Sequence, residues 1–402
     1  MGCFAKENVN KGRQPEIDCL KAFCIVCMIL LHTYEDLATE PAGPLYAFLD
    51  FACIFLGAGA FMICMGIGMR YSRNQTPKNY LLRGFEILTV GQLLNLARNA
   101  LPNLIAWWIK GEQFFIANSL LVIQADILSF AGIAFMLLAL LKKLRVPDAA
   151  ILLLGLVMNL IGLPLYKAMK SPSNFLLSQL LGYFVLTDAE SYFPLCAYFF
   201  FVAFGYFIGG LYPRIADKKG LSTRVLLIGL PVCVAYYALR MNGLIPFLPE
   251  FGSDIAYVLN PGPDAVASCL ASLVALAAFY KLTDLAGGKL PGFVAHLSRN
   301  INQYYCVSYL LLLPVQTLLI ATRGSLMPGL LLPTLYGFFV LAACRFIIDW
   351  NDKYLHFGIV KLKNPKRAAA FITIWVATVA VVAYAYPRIE VFATSWNNYL
   401  LP

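Results

Sequence analysis

Histidine is scarce in this sequence, with three among 402 residues. One of them, His32, ends an apolar run that reads Ala22-Phe-Cys-Ile-Val-Cys-Met-Ile-Leu-Leu-His32. Imidazole changes charge near neutral pH and is costly in an apolar setting, so a histidine there is a candidate general base. Glu35 and Asp36 follow at i+3 and i+4, on the helix face that His32 occupies. Either carboxylate could hold the ring and stabilise the imidazolium. Lys21 precedes His32 by eleven residues. That is close to three helical turns, so the two share a face about 16 Å apart along the axis. Asp18 is three residues before Lys21 and placed to pair with it. One helix thus carries a charge near one end and a proton-transfer group further along. The alternative is an inert histidine hydrogen-bonded at a helix end.

Other polar residues lie inside apolar runs. Glu86, Gln92, Asn95 and Arg98 share one run, Gln124 and Asp126 the next, and Asn159 a third. Asn302, Gln303, Tyr304 and Tyr305 open another, which also holds Gln316. Amides in such places ordinarily hydrogen-bond between helices, and Glu86 is spaced to pair with Arg83. His296 and His356 fall in loops beside basic residues and read as solvated. No Walker loop, dinucleotide glycine fingerprint, HExxH motif or arginine ladder is present. That argues against an ATP-driven pump, a zinc protease and a voltage sensor. The eleven cysteines show no metal or disulfide spacing, so they read as small apolar filler and no metal is expected.

The elements that must position these residues are membrane spans. The chain is 60% hydrophobic and 13% charged, against about 25% charged in a soluble domain, and its mean hydropathy is +0.72. Apolar runs long enough to cross a bilayer fall at about 17–37, 47–69, 83–108, 118–141, 148–166, 192–212, 223–244, 264–283, 300–321, 326–348 and 368–387. The fold expected is all-α: one polytopic membrane domain over 1–402 with about eleven transmembrane helices. Residues 1–16 read as a cytoplasmic N-terminal tail with no signal peptide, and 388–402 as an external C-terminal tail. Between 167 and 191 a twelve-residue apolar stretch is too short to span and fits a re-entrant or interfacial helix. Gly57, Gly59, Gly66 and Gly68, and the Gly205-xxx-Gly209 pair, read as close-packing faces.

Charge sets the direction. With the N-terminus inside, 24 of the 31 Lys and Arg residues fall on the inner side. The seven left outside are Arg98, Lys110, Lys167, Lys170, Arg240, Arg323 and Arg388. The net charge of +10 is then explained by anionic lipid headgroups, without nucleic acid.

The stretch Ile17-Asp-Cys-Leu-Lys21, ten residues, then His32, resembles the Arg/Lys-x10-His signature of the membrane acyltransferase-3 family. Phe61 to Arg73, Thr76 to Gly84, Asp126 to Gly132, Tyr192-Phe-Pro194, Gly205 to Gly210 and Leu297 to Asn300 resemble the related heparan-α-glucosaminide N-acetyltransferase-like group. Lys21 stands where Arg is commoner. Arg70-xx-Arg73 is similar to an acyltransferase-3 Arg-xx-Arg motif, but it ends a span instead of preceding one.

The resemblance implies a multi-pass protein of a bacterial-type cytoplasmic membrane. It would move an acyl group, acetyl by default, from cytoplasmic acyl-CoA to a sugar or glycan outside. Arg70, Arg73, Lys78 and Arg83 would meet the phosphates of CoA. His32, held by Glu35 or Asp36, would be the general base, with Lys21 on the same face. Asn302 or Gln303 would offer an amide to the thioester oxygen. An acyl-histidine route stays open, as does a homodimer. Two rival classes remain: a transporter or flippase of a lipid-linked sugar, and a non-catalytic membrane sensor for which His32 is dispensable.

Overall fold

A computed structural model gives the fold. It describes residues 3–10, 12–72, 74–169, 175–187, 191–250, 253–355 and 365–386. The expected external tail at 388–402, together with His356 and Arg73, lies outside the described residues. Among the described residues all regular structure is helical, and β-type pairing is limited to two isolated bridges. The helices are α1 Pro15–Leu37, α2 Pro44–Phe55, α3 Gly57–Tyr71, α4 Pro77–Asn95, α5 Leu101–Lys110, α6 Gln113–Ser119, α7 Ile127–Lys143, α8 Asp148–Ala168 and α9 Phe175–Leu181. They continue as α10 Leu195–Leu211, α11 Lys218–Arg224, α12 Leu230–Met241, α13 Asp254–Leu259, α14 Gly262–Leu285, α15 Gly292–Arg299, α16 Ile301–Arg323, α17 Leu331–Trp350 and α18 Pro365–Ala385.

Among the described residues, seven helices are long and apolar enough to cross a membrane, eight when α2 and α3, bent by 48° at Leu56, count as one. The other expected spans take different forms. The run at 83–108 lies within a longer helix that starts after the Thr76 cap, whose side chain accepts from the amide of Asn79. It passes from α4 through a π-helical turn, Leu96–Ala100, into α5. Pro102 lacks an N–H, and its ring crowds the carbonyl four residues back, that of Arg98. The widened turn absorbs that clash, and the amide of Leu101 reaches back five residues to the carbonyl of Leu96.

The run at 118–141 is not one helix. Short α6 ends at Ser119, the buried stretch 120–126 is non-helical, and Asp126 then caps α7 by accepting from the amide of Ser129 at 2.8 Å. Irregular backbone at membrane depth must find its partners in protein. The side-chain amides of Asn95 and Asn99 donate to the carbonyls of Gln124 and Leu121, each at 3.3 Å. The π turn and the helix break are thus laced together.

α1 runs through the middle, packed by α2, α3, α14, α15, α16 and α17. The contact of α3 with α10 is a backbone approach. A Cβ on Gly66 would lie 2.3 Å from the carbonyl oxygen of Val202, and one on Gly205 would lie 2.1 Å from that of Ile63. These expected packing glycines do pack. Gly68 meets nothing within 4 Å and does not.

At the end where α1 begins, the near end, ion pairs tie helices together. Glu16 accepts from Tyr212 and from Lys218. Asp18 takes Arg13 and Ser298, so its expected pairing with Lys21 does not form. The N-terminal residues are docked, not loose: amides of Ala5, Val9 and Asn10 donate to carbonyls at 213–214.

Candidate functional site

At the far end, α1 is held rigidly before it stops. The amide of Met327 donates to the carbonyl of Leu37 at 2.7 Å, and the amide of Thr39 donates to the carbonyl of Met327 at 3.0 Å. Tyr34 bonds Thr334 on α17. His32 sits in this last, clamped part of α1. Its Nδ1 lies 3.1 Å from Oε2 of Glu35. Of the two carboxylates the spacing offered, Glu35 takes the ring. Asp36 does not, and its Oδ2 is buried without a hydrogen-bond partner. His32 keeps 30% of its side chain accessible and Glu35 41%. His32 and Glu35 are thus accessible at the far end of α1.

Tyr309, on α16, forms the floor beside His32, with ring centroids 5.4 Å apart. The guanidinium carbon of Arg98 lies 4.5 Å from the centroid of the same Tyr309 ring, a cation–π contact. Tyr305, one turn earlier, meets Tyr309 edge-on at 5.0 Å. Arg98 comes from the π turn and is 4% exposed. Its Nη2 lies 3.5 Å from Oδ2 of Asp126, the residue that caps the broken span. A π-helical turn, a helix break, a buried ion pair and a histidine therefore converge on one tyrosine ring. Nearby, Gln92 donates to Ser129 at 3.1 Å and to Tyr183 at 2.9 Å.

Several buried polar atoms here have no hydrogen-bond partner: Nε of Arg98, Oδ2 of Asp126, and Oδ1 of Asn95 and Asn103. Most buried polar groups in proteins are satisfied, so these atoms set the Arg98–Asp126 pair apart from a fully hydrogen-bonded one.

The remaining expected residues lie elsewhere. Lys21 is half-buried near the beginning of α1, and among the described residues it makes no ion pair. Asn302 and Gln303 are on the same helix as Tyr309 but seven and six residues before it, about 9–11 Å along the axis. They do not adjoin His32. Arg70, Lys78 and Arg83 are at the near end. Arg70 pairs with Asp148 at 3.0 Å and donates to Tyr206 at 3.4 Å. Lys78 is exposed. Arg83 lies 3.5 Å from Glu86, the spacing expected, and lines a cavity of about 400 Å³ with Ser72, Asn79 and Tyr80. His296 is not a solvated loop residue. It lies in α15, with Nδ1 2.9 Å from the hydroxyl of Tyr304 and Nε2 2.9 Å from Asp349.

Sequence reasoning left Arg98 among the outer basic residues and the weaker polar positions, and did not name Tyr309. The signal was there: Arg98 and Asp126 are opposite charges in successive apolar runs, and two such groups at membrane depth must find each other.

Residues 13–234, just over half of the chain, match the family model described as heparan-alpha-glucosaminide N-acetyltransferase, catalytic. The matched region holds His32, Glu35, Asp36, Arg98 and Asp126, while Tyr305 and Tyr309 come from beyond it. Neither a curated protein nor a solved structure matches the chain.

Proposed function

The chain belongs to the heparan-α-glucosaminide N-acetyltransferase catalytic family, and on that premise we propose that it carries an acetyl group from cytoplasmic acetyl-CoA to a hydroxyl or amine of an extracytoplasmic sugar, with His32 as the general base. The family makes it a membrane acetyltransferase. The observation that carries the finer reading is the His32–Glu35 pair, clamped at the far end of α1 and accessible there. Glu35 accepts from Nδ1–H and stabilises positive charge on the ring. Nε2 is then the basic nitrogen that meets the acceptor.

The reaction is a balanced exchange. His32 Nε2 takes the acceptor proton as the acceptor oxygen or nitrogen attacks the thioester carbon. The C–S bond breaks, and the imidazolium returns the proton to the leaving thiolate. The donor enters from the near end, where Arg70, Lys78 and Arg83 meet its phosphates. From Glu16 to His32 is sixteen residues, about 24 Å along the axis. The long arm of CoA therefore has to run beside α1 past Lys21, Asn302 and Gln303. We read the helices as eleven crossings with the near end cytoplasmic, which sets the Lys- and Arg-rich loops against the inner leaflet.

The test is His32→Gln, purified in detergent and assayed with radiolabelled acetyl-CoA and a panel of hydroxyl- and amine-bearing sugars. Loss of about 10²–10⁴-fold in kcat, the range of a general base, is expected with the elution profile unchanged. Undiminished turnover would overturn the assignment.

A further inference from the structure

A general base removes a proton, but it does nothing for the charge that grows on the thioester oxygen. That charge calls for a preorganised donor in a dry place, and Asn302 and Gln303 are too far along α16 from His32 to act there. We propose that Arg98 is that donor: its guanidinium, held over the ring of Tyr309, meets the acyl carbonyl oxygen while His32 works beside the same ring. This rests on the acetyl-transfer reading above and adds a catalytic residue to it.

Four observations carry the assignment. The imidazole and the guanidinium are one tyrosine ring apart, 5.4 Å and 4.5 Å from the Tyr309 centroid. The base and the cation thus belong to one cluster around the Tyr309 ring. Second, Arg98 has unused donor capacity. Its Nε has no hydrogen-bond partner, and its contact with Asp126 is a 3.5 Å approach that leaves Asp126 Oδ2 without a hydrogen bond. A buried arginine can engage a carboxylate with two parallel hydrogen bonds. Arg240 does so at the same end of the bundle: its Nε and Nη2 reach the two oxygens of Asp264 at 2.8 and 2.9 Å, and Nη2 also donates to the carbonyl of Pro249 at 3.0 Å.

Third, the backbone is arranged around Arg98. The π turn that Pro102 imposes holds it, and π turns recur at functional sites. Fourth, Asp36 lies within Coulomb reach of both His32 and Arg98, and its Oδ2 is buried and unpartnered. An acceptor bearing hydroxyl or amine protons has a place to dock between base and cation.

In the step itself, the acceptor's X–H proton goes to Nε2 of His32 as the X–C bond forms. The carbonyl electron pair moves onto oxygen, where Arg98 donates to it. When the pair returns, C–S breaks and the CoA thiolate takes the proton from His32. Asp126 stays ionised throughout and holds the guanidinium in place.

The experiment removes the charge pair together, since a lone buried charge would unfold the site. Arg98→Gln with Asp126→Asn keeps size and polarity. Expected is a folded protein whose kcat for acetyl transfer falls about 10²–10³-fold, with KM for acetyl-CoA and acceptor within about threefold. A folded double variant with kcat within about threefold of the parent overturns the proposal and leaves Arg98 as a helix tie. A second measurement needs no variant. Acetyl-CoA labelled with ¹³C at the carbonyl, bound to the intact protein without acceptor, is expected to show its carbonyl stretch lowered relative to the same thioester in aprotic solvent. An unshifted band overturns the proposal. His32→Gln is assayed in parallel: if it turns over normally, the acetyl-transfer reading fails. If it is inactive while the double variant is not, only the role of Arg98 fails.

Discussion

Two arginine–aspartate pairs are buried at the same end of this bundle, and they are built differently. Arg240 and Asp264 join α12 to α14 through two hydrogen bonds, with Tyr236 donating to Asp264 at 2.7 Å as well. Arg98 and Asp126 join the π turn after α4 to the cap of α7 at 3.5 Å, with Nε and Oδ2 left over. The cost of taking two charges out of water is similar for both, and only the first recovers it through close hydrogen bonds. The closed pair joins the last turn of α12 to the first turn of α14. The open pair sits where one helix is widened and its neighbour interrupted, one ring from His32. The contrast separates polar groups that finish a fold from polar groups left ready for a substrate. The near end belongs with the closed pair: Glu16, Asp18 and His296 each have two partners there.

The contrast breaks most severely under Arg240→Met. Asp264 would be left charged, buried and short of its main partner, a loss of about 3–5 kcal/mol. Expected is a large drop in the thermal midpoint in detergent, with kcat per folded molecule unchanged. Adding Asp264→Leu should restore much of the stability, since a matched apolar pair often equals a buried ion pair. If Arg240→Met lowered kcat without lowering stability, the closed pair would be functional and the distinction would fail.

Glu35→Gln probes the open region by a smaller change. The amide can still contact the ring, but it carries no charge to stabilise imidazolium and can offer an N–H that favours the other tautomer. Expected is a fall of about 10²-fold in kcat, the low end of general-base effects, with stability within about 0.5 kcal/mol because Glu35 is already partly open to water. An equal fall in Asp36→Asn alone, with Glu35→Gln silent, would transfer the orienting role to Asp36.

The scaffold itself is tested at the α3–α10 crossing. Gly205→Ala places a Cβ 2.1 Å from the carbonyl oxygen of Ile63, so the two helices must separate. Overpacking of this kind costs about 1–3 kcal/mol. Gly68→Ala, on the same α3 but with nothing within 4 Å, is expected to be neutral. Thermal melts of the two variants side by side check this, and equal effects would refute the close-approach reading.

The sequence showed most of the helices because a bilayer demands about twenty apolar residues at a time, and that requirement is written residue by residue along α1, α14 and α17. His32 and its carboxylates were legible for a related reason, since three polar residues within one turn of an apolar helix have few structural uses. The break at 120–126 was not legible. No glycine or proline marks it, and what stabilises it are the amides of Asn95 and Asn99 on another helix. The partners of Asp18 and His296 were hidden likewise. Spacing offered Lys21 three residues away, whereas Ser298 arrives from 280 residues further along. Arg98 was visible as a charge but not as a site, because its meaning comes from Tyr309, more than 200 residues later.

The smallest effect expected lies at the near end, where the donor reading is most exposed to refutation. Lys78 is exposed, and Arg83 is 37% exposed and shared with Glu86. Each cation contributes at most about 1 kcal/mol to a phosphate contact at such a surface, and salt screens it within about 10 Å at 0.1 M. Lys78→Ala with Arg83→Ala is therefore expected to raise KM for acetyl-CoA only a few-fold, more at low ionic strength than at high, with kcat unchanged. Glu86→Gln should move KM in the opposite direction, because it frees Arg83 from its carboxylate. The sign carries the argument more than the size. Opposite shifts on removing the cations and the anion place phosphate charge beside that cavity, whereas shifts of one sign would mean a local packing defect. A KM indifferent to both changes and to salt would move the donor's entrance away from the near end, leaving the open pair at the far end to be explained by the acceptor alone.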